Sequence, residues 1–311
     1  AFEGELTKKE LDEHLHYLPN NPNAIPYVTS YYKSRWGFCI SYNEYKKLKE
    51  GNYKVVVDTK HFKGSMTISD CLIKGKSGKE ILFTSYTCHP SMAINELSGP
   101  LVLAFLYKKI SKIKNLRYSY RFVLAPETIG SIAYLDKYGD HFKEKLIAGY
   151  NIDRVGLKES IKYQFSKTKN TLADDTIKHV LENINLPNYN ISFQEFSYGE
   201  SDDRQYNSIG YELPVGLITC DDYPEYHTSM DNKELICFDS LNEIIEILLK
   251  VVNTIERNHI YINNITKGEP FLTKYGLQST LGNTTTNYLL ALKCLIFHCD
   301  GERSLLEISK K

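Results

Sequence analysis

Short apolar runs alternate with longer amphipathic ones between residues 80 and 257, and this alternation limits the fold more than any other feature of the sequence. Strand-like runs occur at 81–87, 118–125, 146–152, 191–197 and 213–219. Helical patterns occur between them, one of which spans 129–138, and a final amphipathic helix covers 239–257. A crossover helix returns the chain parallel to the preceding strand. We therefore expect an α/β fold, a three-layer sandwich with a mixed, mainly parallel central sheet flanked by helices.

Charge and cysteine content exclude several classes of protein. Lys plus Arg equals Asp plus Glu, at 38 each, so no net charge attracts nucleic acid or an anionic membrane. No apolar run approaches the roughly 18 residues of a membrane span. Seven scattered cysteines without a CxxC pair favour a reducing compartment. We expect a cytoplasmic protein that has no membrane partner and can form a homo-oligomer.

Acidic and histidine side chains follow every strand of the predicted core. His89, Glu127 and Asp153 come directly after three strands, and His227 lies in the loop after a fourth. Taken singly, such a carboxylate is usually a helix cap or a surface charge, and such a histidine is usually structural. Because parallel strands end at one edge of a sheet, where ligands bind, four residues together favour a functional site.

The segments around these four residues resemble the zinc aminopeptidases of the peptidase family M28-like group. The segments are HPSMAINELSG, APETIGS, NIDRVG and YPEYHTSMDN, in the order that the family has. The resemblance implies that His89, Asp153 and His227 bind metal and that Glu127 is the general acid/base. It also implies hydrolysis of a peptide or other amide bond in a small-molecule substrate by zinc-activated water.

Two positions depart from the family pattern. Asn95 stands where the family has a metal-bridging Asp, and Thr128 stands where it has a second Glu. An amide oxygen is a weaker, neutral ligand that balances less of the charge on two close cations. One zinc ion is therefore expected rather than two, with Asn95, Glu96 and Thr128 as weak ligands or as supports for the ligands.

Candidate substrate contacts come from two further segments. The run SDDRQY contributes Asp202, Asp203 and Arg204, and Tyr226 precedes the last histidine. The competing interpretation of residues 202–204 is a solvated loop with local salt bridges. For Tyr226 it is a buried ring whose hydroxyl has a hydrogen-bond partner. The identity of the substrate stays open.

A closer resemblance extends over almost the whole chain. The runs IPYVTSYYKSRWGFC, YTCHPSMA and PETIGSIAYL are similar to bacterial aminopeptidase-like proteins that are often linked to polysaccharide biosynthesis genes. This group implies three parts: an N-terminal segment (1–75) shared with an accessory domain, the catalytic core (76–260), and a connector that leads into a winged-helix-like module (261–311).

Three other functions compete with hydrolysis. Asn95 and Thr128 are also what a catalytically impaired protein would show, one that keeps the fold and acts as a binding or scaffold element. Cys88 as nucleophile with His89 as base is a weaker hypothesis, because neighbours in an extended segment point to opposite sides. Nucleic-acid binding by residues 288–311 is not favoured, since this piece has no basic stripe.

Overall fold

A computed structural model describes residues 1–30, 34–199, 201–279 and 286–311. Contacts between Cα atoms divide the chain into two units. The first comprises residues 1–174 and 185–246, and the second comprises 175–184 and 247–311. The candidate site residues all belong to the first unit.

The described residues form the following strands and helices. The strands are β1 (Phe2–Thr7), β2 (Leu15–His16), β3 (Phe38–Cys39), β4 (Asn52–Val57), β5 (Ser69–Ile73), β6 (Glu80–Tyr86), β7 (Ser119–Ala125), β8 (Leu146–Ile152), β9 (Ser160–Gln164), β10 (Asn190–Gln194), β11 (Val215–Thr219), β12 (Ile260–Ile262) and β13 (Asp300–Ser304). The helices are α1 (Lys8–Asp12), α2 (Tyr42–Tyr45), α3 (Ser98–Ile110), α4 (Ile129–Lys145), α5 (Leu172–Asn183), α6 (Asp203–Tyr206), α7 (Phe238–Arg257), α8 (Asn287–His298) and α9 (Leu305–Ile308). A π-helical turn (Ala93–Leu97) leads directly into α3, and a 3-10 turn covers Leu272–Tyr275.

The central sheet has seven strands in the order β10-β9-β11-β8-β6-β7-β5. The four central strands, β11, β8, β6 and β7, run parallel to one another. Strand β5 is antiparallel to β7, and the parallel pair β9 and β10 joins β11 in the antiparallel direction. The prediction of a mixed, mainly parallel sheet flanked by helices is therefore confirmed.

The central strands are apolar because both faces of the sheet are covered. Every residue of β6 and of β11 is buried, and Phe83, Tyr150 and Leu217 have no exposed surface. Continuous apolar runs of this kind are typical of parallel strands with helices on both sides. Strand β9, with the sequence SIKYQ, was not predicted, because its short run mixes polar with apolar residues.

Two glycines, in α3 and α4, allow other parts of the chain to pack closely against these helices. The second lies beyond the predicted end of α4. At Gly99, at the start of α3, an added Cβ would lie 2.2 Å from Ser85 Oγ and 2.4 Å from the Ile152 carbonyl oxygen. Helix α4 does not end at 138 as predicted but continues through Gly139 to Lys145. An added Cβ at Gly139 would lie 2.1 Å from the Tyr211 ring, so this glycine provides space for a side chain rather than a helix end.

The N-terminal part of the first unit reaches the carboxyl edge of the sheet. Strands β1 and β4 form an antiparallel pair, and β5 forms one edge of the central sheet. The loop that follows β2 crosses to the segment around residue 228, where Pro26 and Thr228 form an isolated antiparallel bridge. The Tyr27 N–H donates to the His227 carbonyl oxygen at 2.9 Å, which attaches this loop to a predicted site residue.

The described part of the second unit contains a small antiparallel sheet, the helices α8 and α9, and parts of α5 and α7. Strand β12 pairs with β13, which leads into α9. The Asn258 side chain accepts a hydrogen bond from the Leu306 N–H at 2.9 Å, and the Lys310 ammonium lies 2.6 Å from the Asp175 carboxylate. In the part of the chain that the structure describes, no helix is long and apolar enough to cross a membrane.

Candidate metal and catalytic site

The candidate residues come from four strand ends that are adjacent in the sheet. His89 follows β6, Glu127 follows β7, Asp153 follows β8, and His227 lies in the loop after β11. Because these four strands are parallel neighbours, their carboxyl ends deliver the four side chains to one edge.

The two histidine rings lie beside each other under aromatic side chains. The ring centroids of His89 and His227 are 4.8 Å apart. Tyr27 contacts both rings edge-on, at 5.0 and 5.6 Å, and Tyr226 stacks on His227 at 3.9 Å. Burial lowers the pKa of His227 to about 4, with further contributions from His89 and Arg154. His227 is therefore neutral at pH 7, which is the form that binds metals.

Two buried polar atoms of the site have no hydrogen-bond partner within the described parts of the chain. They are Nε2 of His227 and Oδ2 of Asp153. Asp153 is 1% exposed, and its other oxygen lies 3.4 Å from Nε of Arg154. Burial raises the pKa of Asp153, while Arg154 and a hydrogen bond from Ser201 oppose the rise and Glu127 adds to it. Unpaired buried polar atoms are costly, so these two atoms mark a place where a ligand would be bound.

Cys88 contacts two of the predicted site residues. Its Sγ lies 2.7 Å from Nδ1 of His89 and 3.7 Å from Oε2 of Glu127. The expectation that Cys88 and His89 point to opposite sides is wrong, because residues 87–92 form an irregular turn rather than an extended strand. Burial raises the pKa of the Cys88 thiol strongly, and the charges of Glu96 and Glu127 raise it further. A protonated thiol is a poor nucleophile.

Glu96 holds the turn that carries His89. Its carboxylate accepts hydrogen bonds from the backbone N–H groups of Cys88 and His89, at 2.5 and 2.7 Å, and lies 3.6 Å from Nδ1 of His89. Among the described residues, Cys88, His89 and Glu96 form the group whose potential ligand atoms all lie within 4.8 Å of one another. Asp153 and His227 do not join that group, so the set His89, Asp153 and His227 stays a prediction.

Asn95 is buried within a set of protein contacts. Its Oδ1 accepts a hydrogen bond from the Tyr86 hydroxyl at 3.0 Å, and its Nδ2 lies 3.4 Å from the Met92 sulfur. Its backbone N–H donates to Asp231 at 2.9 Å. The amide oxygen of Asn95 is therefore already occupied by a contact within the protein. This favours a role in supporting the metal ligands over a role as a ligand itself.

Asp231 is a structural residue of the site that was not predicted. Its carboxylate accepts backbone N–H groups from Ala93, Ile94 and Asn95, with a shortest distance of 2.7 Å, and the Tyr223 hydroxyl at 2.9 Å. It thereby satisfies the free N–H groups at the start of the π-helical turn. The only signal in the sequence is its position in the HTSMD segment, four residues after His227.

Thr128 belongs to a polar contact with α6. Its backbone N–H donates to Asp202 at 2.7 Å, and its hydroxyl accepts from Nη2 of Arg204 at 2.9 Å. Thr128 and Arg204 therefore connect the loop after β7 to residues 202–204. These contacts accommodate a threonine at the position where the family that the sequence resembles is expected to have a second Glu.

The interpretation of residues 202–204 as a solvated loop is wrong for both aspartates. Asp202 is 2% exposed and Asp203 is fully buried. Burial raises the pKa of Asp202 to about 6 and that of Asp203 to about 8. Asp203 accepts from Nε2 of Gln164 at 2.8 Å, while its Oδ1 has no partner in the described structure.

Tyr226 lies at the wall of an open groove. It is 41% exposed, so the expectation of a buried tyrosine is wrong. The groove has a volume of about 570 Å³. Its lining residues come from two loops and are Leu18, Pro19, Asn20, Asn21, Pro224, Glu225, Tyr226 and Thr228. The Arg154 guanidinium lies 5.7 Å from the Tyr226 ring centroid.

The backbone is strained in each of the four site loops. Ser91, Thr128, Arg154 and His227 have φ values between 46° and 67°, a region that non-glycine residues seldom adopt. Such conformations cost about 1–3 kcal/mol each and cluster at functional sites, where surrounding contacts hold them. The pattern supports a site at this edge of the sheet, independently of the side chains.

Comparison with known proteins agrees with this architecture. The family model "Domain of unknown function (DUF4910)" matches residues 18–258. A Clostridium acetobutylicum protein with the name "putative polysaccharide biosynthesis protein with aminopeptidase-like domain" is 38% identical over 310 residues, which cover 98% of this chain and 70% of the relative.

Solved structures give the same result. The crystal structure of a "putative peptidase" from Clostridium acetobutylicum has a TM-score of 0.91 and 35% identity, over 99% of this chain and 70% of that one. A zinc aminopeptidase from Bacillus subtilis, BSAP, has a TM-score of 0.55 and 14% identity, over 78% of this chain and 63% of that one, which shows a shared fold. The chain therefore belongs to the DUF4910 family and has an aminopeptidase-like fold.

Proposed function

We propose that this protein is a metal-dependent hydrolase of amide or peptide bonds, with one zinc ion held by His89, Asp153 and His227. The observation that carries the proposal is a pair of buried atoms without a hydrogen-bond partner in the described structure, Oδ2 of Asp153 and Nε2 of His227. The ring of His227 lies 4.8 Å from that of His89. Leaving both atoms without a partner costs about 1–3 kcal/mol for each group, and a bound cation would recover this cost.

The chemistry of the residues fits zinc. Imidazole and carboxylate are zinc ligands, and three protein ligands with one open position are typical of catalytic zinc sites. His227 is neutral at pH 7, so no proton competes with the cation for its ring nitrogen. When bound, zinc supplies Lewis acidity to a carbonyl oxygen and to water.

Glu127 is suited to proton transfer. It follows β7 at the same edge of the sheet and is half-buried, and its carboxylate contacts the Cys88 thiol but none of the backbone N–H groups that occupy Glu96. A carboxylate placed in this way accepts the proton of an attacking water and passes it to the leaving amine.

The groove beside Tyr226 is the proposed place for the rest of the substrate. It combines an exposed aromatic ring, the amides of Asn20 and Asn21, and the carboxylate of Glu225. Such a lining binds a substrate that has an apolar face together with hydroxyl, amide or amine groups. Peptides and amides of amino sugars both meet this description.

Metal analysis of purified protein tests the proposal. We expect about one zinc per chain in the wild type and at least a tenfold weaker affinity in His227→Ala, since even supporting residues of metal sites cost about 10–100-fold. His61→Ala, which removes an exposed histidine, is the matched control and should retain the metal. Equal zinc content in the wild type and His227→Ala would contradict the proposal.

A second candidate function is a binding or scaffold element without turnover. It is favoured by the contacts of Asn95 with Tyr86 and of Thr128 with Arg204, since both positions are occupied within the protein. A panel of aminoacyl amides assayed with zinc, manganese or cobalt separates the two candidates. Activity that arises only in Asn95→Asp would support the scaffold and indicate a decayed site.

A further inference from the structure

Cys88 has no role in the proposed hydrolysis, yet it is in contact with His89. Its Sγ lies 2.7 Å from Nδ1 of the ring and 3.9 Å from Nε2. The thiol is free of any disulfide and half-buried. A cysteine placed in this way is either a packing residue that donates to the ring or a metal ligand.

The charges around Cys88 favour a cation. Oε2 of Glu127 lies 3.7 Å from the Cys88 sulfur, and the carboxylate of Glu96 accepts the Cys88 backbone N–H at 2.5 Å. The guanidinium of Arg154 is directed to Asp153, at 3.4 Å, and to the face of Tyr226. Two carboxylates around a sulfur atom repel each other unless a positive charge lies among them.

The ligand atoms are already gathered. Potential ligand atoms of Cys88, His89 and Glu96 lie within 4.8 Å of one another. The buried, unpartnered Oδ2 of Asp153 is a second and independent sign of a missing ligand in the same group of loops. Thiolate and imidazole together select zinc over magnesium or calcium.

We propose that Cys88 is a further ligand of the metal at this site, supplying as a thiolate the negative charge that Asn95 does not. With His89, Asp153 and His227 it makes four protein ligands, so the attacking water would take a fifth position, a coordination number that catalytic zinc can reach. The inference rests on the proposed function, because it concerns the same ion. On binding, a metal–sulfur bond forms and the thiol proton is released to the buffer. Glu96 then acts by fixing the turn through its two backbone hydrogen bonds.

X-ray absorption on the zinc-loaded wild type tests the inference without any variant. A zinc–sulfur shell at about 2.3 Å, distinct from nitrogen or oxygen at about 2.0–2.2 Å, is expected. A spectrum with nitrogen and oxygen neighbours alone would overturn the inference, while the bound zinc itself would still support the proposed function. Absence of bound zinc would count against both.

Cobalt substitution gives a second readout. The cobalt-loaded wild type should show a thiolate-to-cobalt charge-transfer band in the near ultraviolet, and Cys88→Ser should lose it. Cys71→Ser, which changes an exposed cysteine, should keep it. If Cys88→Ser binds cobalt with unchanged affinity and an unchanged spectrum, Cys88 only donates to the His89 ring and the inference fails.

Discussion

The two ends of the central sheet both carry clusters of charged side chains, but the clusters differ in how fully their polar atoms are paired. Near the amino ends of β6 and β7, Arg121 contacts both oxygens of Asp70 at 2.7 and 2.8 Å and Glu80 at 2.8 Å. His141 contacts Glu80 at 2.9 Å, and the Tyr134 hydroxyl donates to Asp70 at 2.7 Å.

At the carboxyl ends, buried polar atoms remain without partners. Asp153, Asp203 and His227 each have one such atom in the described structure. The comparison teaches that a buried charge cluster is a functional candidate when it is incomplete, because a structural cluster pairs every charge that it buries. The following predictions test this distinction.

The largest effect is expected on turnover, from a substitution at the carboxyl ends of the strands, where buried polar atoms lack partners. Glu127→Gln removes the group that accepts and donates the proton, so activity should fall by about 10²–10⁴-fold. The folding stability and metal content should not change. The measurement is kcat for the aminoacyl amide that the wild type cleaves fastest, with the exposed Glu144→Gln as control. Unchanged kcat would remove Glu127 from the mechanism.

A substitution in the fully paired cluster near the amino ends of β6 and β7 should lower the folding stability and leave metal binding unchanged. Arg121→Met leaves Asp70 and Glu80 without their cation, and breaking such a buried pair typically costs about 3–5 kcal/mol. Urea unfolding measures the loss, and metal content measured in parallel should match the wild type. Lys108→Met, on the exposed face of α3, is the control. If Arg121→Met lost metal but kept the stability of the wild type, the cluster at the amino ends of the strands would belong to the functional site, and the distinction between the two clusters would be wrong.

A pH dependence of stability is also expected, and it originates at Asp203. Its pKa is about 8 in the folded protein and about 3.9 in the unfolded chain, so the folded state binds the proton more strongly. Its contribution to stability is therefore complete below about pH 4 and is lost as the pH rises to about 8.

Asp203→Asn should flatten this part of the profile. The free energy of unfolding, measured in urea at several pH values, should fall less between pH 5 and 8 than in the wild type. The exposed Asp136→Asn should leave the profile as it is. A profile of unchanged slope in Asp203→Asn would show that another group titrates in this range.

The sequence was sufficient for the parallel centre of the sheet and for the edge to which the candidate residues come. Apolar runs reveal strands such as β8, whose first and last residues were predicted correctly. Because crossover helices make consecutive strands parallel, the carboxyl ends of these strands lie at one edge of the sheet. The sequence was not sufficient for the polar contacts. The burial of Asp203 depends on its packing against β9, through Gln164, and that strand had no clear pattern.

Contacts between distant segments explain the other omissions. Tyr27 reaches the two histidines from a loop 62 residues before His89 and 200 residues before His227, which no local pattern indicates. The contact of Cys88 with His89 lies in the irregular turn of residues 87–92, where an extended chain was assumed. Residue types and strand order predict which residues come to the same edge of the sheet. The direction of their side chains depends on the conformation of the loops that carry them.

The contacts of Asp231 have a mechanical consequence. Through one carboxylate they bind the loop of His227 to the beginning of α3, more than 130 residues away in the chain. Hydrogen bonds to a charged group contribute about 1.5–3 kcal/mol each, so separating the two segments would break several of them at once. The edge of the site formed by these segments should consequently behave as one rigid wall, and any motion that admits a substrate should take place in the other loops.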